Sequence, residues 1–156
     1  MTGQTWMIVV GAAVVGIGLG GFILTRTNWY KIRRYAIDLK QVFDKHKLQE
    51  KAEAVQAMGQ NANPVLVKKP LRELIDTYKD LIAALEKMKV PASAKAVHAD
   101  TLTLHRESLS LYQMAFVGGF RQRALMEKQK KLQSMERDVQ AKMEKLIPVK
   151  KPKEKK

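Results

Sequence analysis

The chain has 156 residues, a formal net charge of +14 and no cysteine. Without cysteine, disulfides, thiolate metal sites and cysteine nucleophiles are excluded. After a glycine-rich N-terminus, Leu, Ala, Lys, Glu, Gln and Met dominate, and these residues favour helix. We therefore expect an all-α protein with a single N-terminal transmembrane helix, a three- or four-helix bundle or long-helix body, and a basic, disordered C-terminal tail.

An uncharged apolar segment, residues 6–24, follows a short N-terminal flank over 1–5. As a helix it spans nearly 30 Å, close to the thickness of a hydrocarbon core. No basic residue precedes it and no small-x-small cleavage site follows it. A retained anchor is therefore favoured over a cleaved signal peptide and over a buried core helix. Small residues share one face of this helix and are candidates for packing against another membrane helix: Ala12, Gly16 and Gly20.

Aromatic and basic residues flank the predicted anchor. Trp6, Trp29 and Tyr30 suit the two membrane interfaces. Basic residues are absent before the anchor and frequent after it, which predicts an outer N-terminus and a cytoplasmic body, with a periplasmic body as the alternative. The flanking basic residues are Arg26, Lys31, Arg33 and Arg34.

The next segments show helical periodicity interrupted by turn residues. We expect a juxtamembrane helix over 25–58 and a loop over 59–70, where Gly, Asn and Pro are frequent. Apolar residues at steps of three and four predict an antiparallel helical hairpin over 71–117. In this hairpin Pro70 opens the first helix and Pro91 marks the connection.

The C-terminal region is predicted to form a basic amphipathic helix over 120–147, after the glycine pair at 118–119. Its apolar residues Leu125, Leu132, Val139 and Leu146 repeat every seven positions. This pattern is compatible with packing on the bundle and with a self-associating coiled coil.

Residues 148–156 are rich in Lys and Pro, and we expect them to be disordered. The region from 121 to 156 contains thirteen basic and five acidic residues and no aromatic residue. An anionic lipid surface therefore suits it better than nucleic acid, which stays an alternative, as does a solvated tail that aids solubility and binds no ligand. The lysines of the tail are Lys150, Lys151, Lys153, Lys155 and Lys156.

The histidines offer little evidence for chemistry. His98 and His105 are seven residues apart, whereas two ligands on one helix usually lie three or four apart. Ser108 lies three residues after His105, but neither an oxyanion hole nor an orienting group is indicated. We expect no catalytic, metal or cofactor site.

These features predict a membrane-anchored interaction or scaffold subunit of a membrane-associated complex, without catalytic activity of its own. The expected partners are membrane lipids and other membrane-protein subunits, with self-association as a further possibility. The alternative is a membrane tether whose basic C-terminal region binds anionic lipid or nucleic acid.

Overall fold

The computed structural model describes residues 28–58, 63–119 and 123–147, and these residues form helices joined by short connections. No strand occurs among them, which confirms the predicted helical bundle. The helices are α1 (Asn28–His46), α2 (Leu48–Ala57), α3 (Pro64–Glu86), α4 (Lys95–Gly118) and α5 (Arg123–Leu146), with a 3₁₀ turn over Ala92–Ala94.

From α2 onward, successive helices run antiparallel and pack as neighbours. Both α1 and α2 contact α3, α3 contacts α4, and α4 contacts α5. Two contacts show the direction of α5 against α4: Lys128 Nζ donates to Ser110 Oγ over 2.8 Å, and Lys142 Nζ donates to Asp100 Oδ2 over 2.6 Å. Because α1 and α2 together form one column, the bundle has four columns in up-and-down order.

The first column is divided at Lys47, although the sequence predicts one uninterrupted helix over 25–58. Lys47 has φ 48° and ψ 41°, the left-handed conformation. Its N–H donates to the Phe43 carbonyl and its carbonyl accepts from Lys51. No proline or glycine near Lys47 indicates this division in the sequence. A lysine can adopt the left-handed conformation at a cost of about 1–2 kcal/mol, so neither residue is required.

The second column begins earlier than predicted, at Pro64 instead of Pro70. Asn63 caps the helix, because its Oδ1 accepts a hydrogen bond from the Val65 N–H over 3.0 Å. The predicted loop over 59–70 is therefore wrong for residues 64–70, and residues 59–62 lie outside the described residues. Pro70 lies within the helix, where it supplies no N–H to the Leu66 carbonyl.

The core consists of large apolar side chains from all four columns. Completely buried leucines occur on each of the longer helices: Leu39, Leu74, Leu81, Leu104, Leu111, Leu125 and Leu132. Each contributes about 1.5–3 kcal/mol through removal of its apolar surface from water. The heptad face of α5 is part of this core, so the face predicted for a coiled coil is already covered within the chain.

No helix among the described residues has the length and apolar character needed to cross a membrane. Each of these helices carries charged side chains on its solvent face, whereas a membrane span needs a long uncharged segment. By this finding the predicted localisation, a single-pass membrane protein with a cytoplasmic body, is wrong. The predicted anchor over 6–24 lies outside the described residues.

Candidate docking surface

The residues predicted to contact the membrane divide into two groups. Those outside the described residues are Trp6, Ala12, Gly16, Gly20, Arg26, Lys150, Lys151, Lys153, Lys155 and Lys156. Those on the first two turns of α1 are Trp29, Tyr30, Lys31, Arg33 and Arg34. The second group therefore belongs to the end of a helix that packs in the bundle.

Within this group the side chains have different surroundings. The guanidinium carbon of Arg33 lies 5.2 Å from the centroid of the Trp29 ring, in cation–π geometry. Tyr30 is exposed. Lys31 and Arg34 line a surface cleft together with Lys89, which comes from the connection between α3 and α4.

The opposite end of the bundle exposes large apolar side chains. Val117 is 87% exposed, Val65 74% and Leu66 64%. Two methionines are exposed as well: Met58 directly follows α2, and Met126 lies in the first turn of α5. The end of α2, the start of α3, the end of α4 and the start of α5 all lie here, because neighbouring helices run antiparallel. We call these five residues the apolar end.

Val65 and Leu66 are exposed because α3 begins beyond the level at which α4 ends. Arg72 lies over the Phe116 ring, with its guanidinium carbon 5.4 Å from the ring centroid. This contact places the end of α4, at Gly118, near the level of Pro70. The turns of α3 before Pro70 thus extend beyond α4, and Val65 and Leu66 lie on this extension.

Basic side chains surround the apolar end. Lys68, Lys69 and Arg72 are exposed on the first turns of α3, and Arg123 begins α5. Arg123 Nε donates to Glu127 Oε1 over 3.2 Å, in an ion pair whose side chains are both largely exposed. The surface therefore combines unburied apolar area with an excess of positive charge.

A polar layer crosses the middle of the bundle, and the sequence did not reveal it. Hydrogen bonds join the Tyr78 hydroxyl of α3 to those of Ser108 and Tyr112 of α4. Burial raises the pKa of both tyrosines, and the nearby Glu136 carboxylate of α5 raises them further. Each of the three helices contributes only one or two of these polar residues, on a face that is otherwise apolar. The layer forms only when the three helices pack together.

The imidazole of His105 lies beside this layer, in an apolar environment. Its ring centroid is 5.2 Å from that of Phe43 and 6.1 Å from that of Tyr78. Neither ring nitrogen has a hydrogen-bond partner among the described residues. Burial lowers the pKa of His105 to about 4, so the ring is neutral near pH 7.

The predicted absence of a metal site stays a prediction for the whole chain. Within 28–58, 63–119 and 123–147, no three or more histidines, aspartates or glutamates are placed to hold a metal ion. His98 and His105 lie on one face of α4, but each ring packs against aromatic side chains. His46 Nδ1 instead lies 2.7 Å from the Val42 carbonyl of its own helix.

Comparisons with protein-family models, with curated proteins and with solved structures find no match to this chain. The main feature missing from the sequence prediction is the exposed start of α3. The segment "NPVL" carries a signal for it, because Asn is a favoured N-cap residue and Pro is favoured at the first position of a helix.

Proposed function

We propose that this chain is a non-catalytic helical interaction subunit that holds a partner protein at its apolar end. The partner segment is an amphipathic helix with carboxylates on the flanks of its apolar face. The observation that carries the proposal is the exposure of Val65, Leu66 and Val117 at one end of an otherwise well-packed bundle.

The apolar side chains support binding through removal of their surface from water. Single exposed apolar residues are common, whereas several at one end of a small bundle are typical of an interaction site. Complete burial of a Val or Leu side chain contributes about 1.5–3 kcal/mol. Two or three such side chains supply a core for a modest interface, from which the cost of association must be subtracted.

The surrounding charges support an acidic partner. Lys68, Lys69 and Arg72 lie on the part of α3 that carries Val65 and Leu66. Among the described residues, no ion pair involves these three cations. Carboxylates on a partner helix would complement them, and charge complementarity of this kind increases association rate and selectivity.

The location of the chemically versatile side chains supports a non-catalytic role. Tyr78, His105 and Tyr112 are buried between helices, where a substrate has no access. A general acid or base must reach the proton that it transfers. These side chains are therefore better suited to stabilise the bundle than to act on a ligand.

The proposal is tested with the full chain and a fluorescent amphipathic peptide that has leucine on one face and glutamate on both flanks. Fluorescence anisotropy measures binding to the wild type and to Leu66→Asp and Val117→Asp. We expect each variant to weaken binding at least about tenfold, since 1.4 kcal/mol corresponds to that factor. Ile37→Asp is the matched control, because Ile37 is an exposed apolar residue on α1.

A second peptide with lysine in place of glutamate tests the choice of partner. It should bind more weakly than the glutamate peptide, and the difference should decrease as salt increases. Equal binding of both peptides would contradict the role of the basic residues. Unchanged binding by Leu66→Asp would exclude the apolar end, and binding of anionic vesicles without binding of peptide would identify lipid as the occupant.

A further inference from the structure

A second surface lies at the other end of the bundle, where α1 begins and α3 connects to α4. It is an open cleft of about 420 Å³. The cleft is lined by Lys31, Arg34, Tyr35, Asp38, Lys89, Val90 and Pro91. The sequence interpretation assigned Lys31 and Arg34 to a membrane flank, whereas the fold brings them together with a lysine more than fifty residues away.

The charges in this cleft are not balanced. Three cations, Lys31, Arg34 and Lys89, accompany one carboxylate, Asp38. Among the described residues none of these four forms an ion pair or a side-chain hydrogen bond with another protein group. Like charges held near each other repel, and an anion between them relieves this repulsion.

We propose that this cleft binds a small phosphate-bearing anion. Arg34 offers a planar fork that suits two phosphate oxygens at once, while Lys31 and Lys89 act as mobile point charges. The Val90 and Pro91 side chains provide an apolar wall for an organic part of the ligand. The volume lies within the range of small-molecule sites.

Binding at this cleft would tie two separate segments of the chain together. Lys31 and Arg34 belong to α1, whereas Lys89 belongs to the connection between α3 and α4. Tyr35 lines the cleft, and its hydroxyl lies 3.0 Å from Nδ1 of the buried His98. A ligand should therefore stabilise the contact of α1 with α4. Binding in the cleft does not depend on the apolar end, because none of the cleft residues belongs to that surface.

The test uses the full chain with pyrophosphate and with inorganic phosphate at low ionic strength. Calorimetry measures binding, thermal unfolding measures stabilisation, and the NMR signals of the His98 ring report on the site. We expect saturable binding of pyrophosphate, an increase in Tm and a shift of the His98 signals. The double variant Arg34→Gln with Lys89→Gln should weaken binding at least about tenfold, because two of the three cations are lost.

Lys40→Gln is the matched control, because Lys40 is an exposed lysine of α1 outside the cleft that pairs with Asp44. It removes one positive charge and should leave pyrophosphate binding nearly unchanged. Equal weakening by Lys40→Gln and by single Lys89→Gln would show that net charge alone attracts the anion and would overturn the proposal. Absence of saturable binding would overturn it as well, as would binding of an oligothymidylate without binding of pyrophosphate.

Helicity and Tm of each variant without ligand provide a control for folding. The three cations are exposed, so these values should match those of the wild type. If the double variant unfolds, single Arg34→Gln and Lys89→Gln variants replace it, and each is compared with Lys40→Gln.

Discussion

The Tyr35 hydroxyl donates a hydrogen bond to Nδ1 of His98 over 3.0 Å and joins α1 to α4 across 63 residues of sequence. The direction follows from the other ring nitrogen, because His98 Nε2 lies 3.0 Å from the Leu85 carbonyl, which only accepts. Nε2 therefore carries the proton, and Nδ1 of the neutral ring accepts from tyrosine. One imidazole thus connects three helices at the end of the bundle that holds the cleft.

Tyr35→Phe should destabilise the protein, because it removes the buried hydroxyl donor and leaves His98 Nδ1 without a hydrogen-bond partner. We expect a loss of about 1–3 kcal/mol in the free energy of unfolding. Urea denaturation at pH 7 measures it. Tyr30→Phe is the control, since Tyr30 is exposed, and an equal effect of both variants would contradict the role of the hydrogen bond.

Acid should destabilise the bundle through His105. Burial lowers its pKa from 6.5 to about 4, so the unfolded chain binds the proton more readily than the folded protein does. This contribution to stability is complete above about pH 6.5 and decreases as the pH falls towards 4. Fully developed, the loss is about 3 kcal/mol, measured by urea denaturation at several pH values.

His105→Leu isolates that contribution, because leucine fills the apolar site and does not titrate. The variant should lose less stability than the wild type between pH 6.5 and 4. The variant keeps other acid-sensitive groups, because burial lowers the pKa of His98 and the ion pair with Lys128 lowers that of Glu107. Parallel pH profiles of wild type and variant would contradict the assignment to His105.

Leu132→Ala should destabilise the protein strongly, because this α5 side chain is completely buried. A loss of about 2–5 kcal/mol is expected from the lost transfer free energy and the cavity that remains. Met126→Ala, at an exposed position of the same helix, should change stability by less than about 0.5 kcal/mol. Similar small effects at both positions would mean that α5 does not pack on the bundle.

Pro70→Ala should stabilise the start of α3. Alanine restores the N–H that the Leu66 carbonyl lacks, and proline inside a helix costs about 3 kcal/mol relative to alanine. We expect a gain of at least about 1 kcal/mol, with slower hydrogen exchange of the neighbouring amides. A loss of stability would indicate that the Pro70 ring contributes more through packing than it costs in the helix.

The sequence predicted the elements that depend on local periodicity and failed where packing or capping decides. Helical spacing at Leu74, Tyr78 and Leu81 placed α3 in the core correctly, since side chains three or four apart share a face. The loop interpretation of 59–70 failed because the Asn63 cap and Pro64 outweigh the internal Pro70. No local signal marks the turn at Lys47.

The candidate surfaces were less predictable than the fold. The exposure of Val65 and Leu66 depends on the offset between the start of α3 and the end of α4, which is a property of their pairing. The cleft depends on Lys89 meeting Lys31 and Arg34, which only the antiparallel order of the columns brings about. Neither relationship is visible as a spacing along the chain.

The most direct test of the proposed docking function is methyl NMR of the full chain during titration with the glutamate-flanked peptide. Signals of Val65, Leu66, Val117 and Met126 should shift together and saturate, while those of Ile37 and of the buried Leu81 stay in place. Shifts confined to other surfaces, or no saturable shift at the apolar end, would contradict the account.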